Sequence, residues 1–125
     1  MVEQHNKLLR DLEIGLAQLV QLVDQGHEES AMYTAEEMLK DLRDLDKDFL
    51  NNLIAVRAGA LASGKYTVES YKEEIDVNLL LDATARHLLK VIHIGDIDEE
   101  SGIHHYGHIA ANLIMIHTQI RTYGV

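Results

Sequence analysis

DVNLLLDATARHLLKVIHIGDIDEESGIHHYGHIAANLIMIHTQIRT, residues 76–122, reads as two helices joined by a short acidic turn. Asp76 stands where a helix cap is expected. The helix it opens, over about 77–93, is apolar nearly all round through Val77, Leu79, Leu80, Leu81, Ala83, Ala85, Leu88, Leu89, Val91 and Ile92. A helix of that kind belongs at the centre of a fold or at an interface. Gly95 ends it. The connection GDIDEESG, residues 95–102, is short, and a second helix follows over about 103–122. So short a connection makes the two helices antiparallel neighbours.

Two more helices read out of the N-terminal half. Leu8, Leu9, Leu12, Leu16, Leu19, Val20 and Val23 form one stripe over about 3–24, and Gly26 follows as a stop. Thr34-Ala-Glu-Glu37 has the capping-box pattern, in which the Thr hydroxyl and the Glu side chain satisfy each other's backbone N–H. A helix from there carries Met38, Leu42, Leu45, Phe49, Leu53 and Val56 on one face, with Asp41, Asp44 and Asp48 on its flank. The pattern fades across 59–64, and residues 65–75 read as a loop with one helical turn at about 68–73. The expectation is an all-α chain forming an antiparallel four-helix bundle. Its surplus apolar surface predicts self-association into a homo-oligomer. One helical domain spans 1–125, with an N-terminal helical pair over 1–57 and the His-rich region over 58–125.

Composition narrows the function. The chain has 125 residues, 46% of them hydrophobic, which suffices for one core. It lacks Cys, so disulfides, thiolate nucleophiles and Cys-ligated zinc are excluded. It lacks Pro and Trp and has one Phe, which suits long helices. The formal charge of -10 leaves no basic footprint for a nucleic acid polymer or an anionic membrane. A small phosphorylated ligand is compatible, because it needs only a few placed cations. No apolar run has the length of a membrane span, and the N-terminus carries no apolar export core, so the expected location is the cytoplasm.

Six of the eight His lie between residues 87 and 117. A lone His more often packs or sits in solvent. Here His105 and His108 share a helix face, with Asn112 one turn on. Counting back from a turn near Asp98 sets His87 opposite His108, beside Arg86. Asp96, Asp98 and Ser101 crown the loop end. Imidazoles with carboxylates bind divalent metals, and cations such as Arg86 and Lys90 grip phosphates. His93, His104 and His117 read as surface or packing residues.

These residues resemble a known family. Lys65-Tyr66, then LDATARHL at 81–88, then GDIDEESGIHHYGHIAAN at 95–112, are similar to the N-terminal domain of phage dATP/dGTP diphosphohydrolases. The resemblance covers about 58–117, and the first 57 residues show none. Ser70-Tyr71 replaces an asparagine-tryptophan pair, and His104 a proline. The resemblance implies Lys65, Tyr66, Arg86, His87, Asp98, Ser101, His105, His108 and Asn112 as ligand-site residues; Asp96 and Asp98, on the acidic loop, are the metal candidates. It also implies a purine nucleotide as partner, and the host cytoplasm if the chain is phage-encoded.

Three functions fit the sequence. The first is a binder that sequesters a purine nucleotide, such as a host cyclic nucleotide or ADP-ribose-type immune signal, with Tyr66, Tyr71 and Tyr106 stacking on bases. The second is a diphosphohydrolase releasing pyrophosphate with Mg or Mn, in which Asp96, Asp98, His105 and His108 hold the metal. A related class of nucleotide pyrophosphatases holds magnesium on paired carboxylates, and the nearest pairs here are Asp41 with Asp44 and Glu73 with Asp76. The third is a structural helical oligomer without ligand. The missing carboxylate quartet inclines the reading to the binder.

Overall fold

In a computed structural model that describes residues 2–64 and 73–125, five helices follow one another. They are α1 (Val2–Asp24), α2 (Glu28–Leu45), α3 (Phe49–Ala62), α4 (Val77–His93) and α5 (His105–Tyr123). The all-α expectation holds, and the described residues contain no strand. An isolated antiparallel bridge joins Ile97 to His104.

The helix count differs from the expected four, because the stripe from Met38 to Val56 is broken at Asp46. The Asp46 side chain accepts from Asp48 N–H at 2.9 Å and from Asn52 Nδ2 at 2.8 Å. A short carboxylate that captures nearby donors competes with the helix, so α2 stops there and α3 restarts. α2 also begins earlier than expected. Gly26, at φ 75°, turns the chain out of α1, and α2 opens at Glu28 with two acidic residues in its first turn. Thr34 therefore lies inside the helix. Its hydroxyl donates to Ser30 O at 2.9 Å, so the capping box is not formed.

α5 is the element on which the others converge. It packs on α2, α3 and α4, while α1 packs on α2 and more lightly on α4. Ile109, Leu113, Ile116 and Ile120 on α5 are almost wholly buried, against Leu12, Leu19, Met38, Leu42, Leu81 and Leu88. Each such side chain contributes about 1.5–3 kcal/mol when removed from water. α4 opens as expected, with Asp76 accepting from Asn78 N–H at 2.9 Å. It is not buried all round: Leu79 and Leu89 are exposed.

Two close approaches fix the frame around the hairpin. A Cβ added at Gly107 would stand 2.7 Å from the Asn52 carbonyl oxygen, so only glycine lets α3 lie on α5 at this level. The acidic loop is held by its backbone. Asp98 N–H donates to Ile103 O, His105 N–H to Asp96 O, and Gly102 N–H to Asp98 O. Gly102, at φ 72°, supplies the left-handed turn.

Candidate functional site

α4 and α5 run side by side, and the loop between them folds Asp98 inward. His104 caps α5 through Nδ1, which accepts from Tyr106 N–H at 3.0 Å. That cap sets the phase of the helix. His105 and His108, three residues apart, then both face α4 at His87.

His87 is the hub. Its ring stacks on that of His108, with centroids 4.5 Å apart and planes 5° from parallel. Its Nδ1 lies 2.8 Å from Nδ1 of His105. Level counting placed His87 with His108. The contact with His105 was not expected, although the same three-residue spacing leads to it.

On the loop side, Asp98 Oδ2 accepts from Ser101 N–H at 3.1 Å and from the Ser101 hydroxyl at 2.8 Å. Ser101 Oγ also lies 2.7 Å from His108 Nε2 and accepts from Ile103 N–H at 3.2 Å. A hydroxyl has one proton, and an ionised carboxylate can only accept. The Ser101 proton therefore goes to Asp98, and His108 donates to Ser101 through Nε2–H. The serine is a relay between acid and imidazole.

Charge in this cluster is set by burial. Burial first, and the neighbouring His108 and His105 next, push the His87 imidazole down to about 4. Burial also lowers His105 and His108, against the pull of Asp98. At neutral pH the three rings are therefore neutral, and the 3.5 Å approach of His108 Nε2 to Asp98 is not an ion pair. Burial alone would raise the Asp98 carboxyl, but the two Ser101 hydrogen bonds, joined by His108 and His87, outweigh it and hold it below the usual value. The Lys90 charge, on the same helix as His87, also works to lower both His87 and His105.

The remaining sequence candidates divide. Arg86 is exposed on α4, and Asn112 is half-buried one turn beyond His108. Neither has a hydrogen-bond or ion-pair partner among the described residues. Asp96 is exposed and stands apart from Asp98, with its carboxylate 4.0 Å from His104 Nε2. Lys65, Tyr66, Ser70, Tyr71 and the turn expected at 68–73 lie outside the described residues. Tyr106 is 4% exposed, stacks on His104 and is pushed up to about 12 by burial. It is a core residue and is not available to a base. His117 pairs with Glu36 at 3.0 Å, tying α5 to α2, and His93 is exposed at the end of α4.

Lys90 lies one turn beyond Arg86 and His87 on α4. Two surface hollows, one along Glu3 to Arg10 and one between Val23, Asn78 and Gln119, lie away from the cluster.

Residues 45–124 match the family model described as dATP/dGTP diphosphohydrolase, N-terminal. The match begins ahead of residue 58 and takes in all of α3, whereas α1 and nearly all of α2 lie outside it. No curated protein and no solved structure matches the chain.

Proposed function

The chain belongs to the dATP/dGTP diphosphohydrolase N-terminal family, and from that premise we propose that it binds a phosphorylated purine nucleotide at the His-rich hairpin and sequesters it uncut. The cyclic-nucleotide and ADP-ribose-type immune signals of a host are the ligands this reading has in view. The observation that carries it is the composition of the cluster. His87, His105 and His108 are neutral rings backed by one carboxylate, with Arg86 exposed beside His87 and Lys90 one turn on along α4. Cations and imidazole N–H groups grip phosphate oxygens, while Asn112 and Ser101 add neutral polar contacts.

Turnover by magnesium is poorly supported by the same residues. Magnesium takes oxygen ligands in near-octahedral order. The described residues bring together two imidazoles and one carboxylate, His87, His105 and Asp98, and no second carboxylate joins them. Asp41 and Asp44 lie on α2, and Asp76 is spent capping α4.

The test is depletion of purine triphosphates and cyclic nucleotides from solution, with and without magnesium or manganese, followed by heat release. Intact ligand recovered in stoichiometric amount supports sequestration. Monophosphate with pyrophosphate establishes the diphosphohydrolase instead. Absence of depletion leaves the helical oligomer without ligand as the reading.

A further inference from the structure

We propose that His87, His105 and Asp98 form a binding site for one divalent transition metal of the manganese-to-zinc series, and that this site rejects magnesium. It stands on ligand geometry and holds whether or not a nucleotide binds.

Three potential ligand atoms, one from each residue, lie within 4.8 Å of one another. They come from two separate helices and the loop between them, so folding preassembles the set. The two Nδ1 atoms are 2.8 Å apart. A cation at about 2.1 Å from both would subtend an N–metal–N angle of roughly 85°, the cis angle of an octahedron. Two imidazoles and a carboxylate, with positions left open, form a set that selects first-row transition ions over magnesium or calcium.

The surroundings orient each ligand. Both Ser101 donors fall on Asp98 Oδ2, which leaves Oδ1 as the ligand oxygen. The His108 ring lies flat against His87 and fixes its plane. Partners of this kind set ligand direction in metal sites. Binding breaks the Nδ1–H···Nδ1 hydrogen bond between the two rings. The ring that carried that proton rebinds it at Nε2, so both rings remain neutral and no proton is released. Lys90 opposes a bare cation.

The whole chain, stripped with chelator and desalted, is titrated with Co²⁺ alone, following visible d–d absorption, and with Zn²⁺, Mn²⁺ and Mg²⁺ by calorimetry. One Co²⁺ per chain is expected, displaced by Zn²⁺ and untouched by a thousandfold excess of Mg²⁺. His87→Gln and Asp98→Asn each weaken binding by more than the roughly 10- to 100-fold that loss of a partner behind a ligand costs, whereas His117→Ala, at the other end of α5, leaves it unchanged. Helicity by circular dichroism identifies any variant that has failed to fold, and the other then carries the test. Lack of a saturable Co²⁺ signal overturns the site. So does binding that survives in both folded variants, or Mg²⁺ displacing Co²⁺ at equal concentration. Nucleotide depletion in the presence of chelator is read separately, so the metal site and the nucleotide reading fail independently.

Discussion

His87 Nδ1 and His105 Nδ1 face each other at 2.8 Å across the α4–α5 hairpin, a distance at which one proton can sit between them and two cannot. Protonating both rings puts two N–H groups and two charges against one another inside a half-buried cluster. The neutral pair is therefore built into the fold, and acid should undo it.

The sign follows from the direction of the shift. His87 is lowered from 6.5 to about 4, so the unfolded chain binds its proton first as pH falls. Stability is full above about 6.5 and declines between there and 4. Asp98, lowered from 3.8, adds a separate loss only below that value. In chelator, Tm at pH 4.5 should fall below its pH 7 value by clearly more in the native chain than in His87→Gln, which has no imidazole to charge. Equal falls in the two proteins would mean that the cluster does not govern acid sensitivity.

Gly107→Ala should destabilise the fold although alanine favours helix. The gain in propensity is about 1 kcal/mol. Against it, the new methyl would stand 2.7 Å from a backbone carbonyl oxygen of Asn52, which cannot swing aside. Overpacking against fixed backbone sits at the upper end of about 1–3 kcal/mol, and the net cost of about 1–2 kcal/mol should lower Tm by about 4–8 °C. Gly15→Ala is the contrast. Its nearest atom is Cγ of the buried Met38 side chain at 2.8 Å, which must shift but can rotate where a backbone carbonyl cannot, so its Tm should fall by less. Matching losses at both positions would show that α3 is not seated on α5 through Gly107.

That contrast also marks what the sequence made legible. Periodicity located α1, α4 and α5, and the stop at Gly26 and the cap at Asp76 fall where glycine and aspartate chemistry put them, whereas α4 ends ahead of Gly95 without the left-handed turn that glycine supplies at Gly26. The α2–α3 break was hidden because its cause, Asp46 reaching Asn52 six residues on, leaves the apolar stripe looking continuous. Thr34 resembled a cap because a capping box is also an ordinary polar stretch of helix. In the site, helical spacing brought His87, His105 and His108 to one level. The loop has no period, so nothing distinguished the buried Asp98 from the exposed Asp96. The burial of Tyr106 follows from its position on the inner face of α5, which aromatic character alone did not reveal.

Arg86→Ala and Lys90→Ala should weaken nucleotide binding, each by about 10-fold, with little change in Tm. Hydrogen bonds to charged groups contribute about 1.5–3 kcal/mol, and 1.4 kcal/mol is a factor of ten in affinity. Arg86 has no hydrogen-bond or ion-pair partner among the described residues, so removing it breaks no polar contact within them. Equilibrium dialysis with the nucleotide that the native chain depletes most strongly provides the measurement. Raising salt from 50 to 300 mM should reproduce part of the loss in the native chain and less in the double variant. Affinity unchanged in both single variants would move the phosphate site off this face of α4.

Ser101→Ala tests the relay itself. In the native chain His108 donates Nε2–H to Ser101 Oγ at 2.7 Å, and Ser101 passes its own proton to Asp98 at 2.8 Å. Alanine removes the acceptor of one bond and the donor of the other, leaving Asp98 with the backbone N–H of residue 101. A lost hydrogen bond to a charged group and an unpaired imidazole N–H together cost about 1–3 kcal/mol. Tm should fall, and the Asp98 carboxyl should titrate higher than in the native chain, because the hydroxyl that lowered it is gone. Ser101→Thr keeps the hydroxyl and should restore both. Nitrogen-15 NMR of the native chain at neutral pH supplies the independent check: His108 should be the Nε2–H tautomer, with Nδ1 unprotonated. An Nδ1–H tautomer would reverse the relay. Ser101 would then donate to the imidazole, Asp98 would lose its hydroxyl donor, and the carboxylate left free to meet a cation would no longer be held in place by serine.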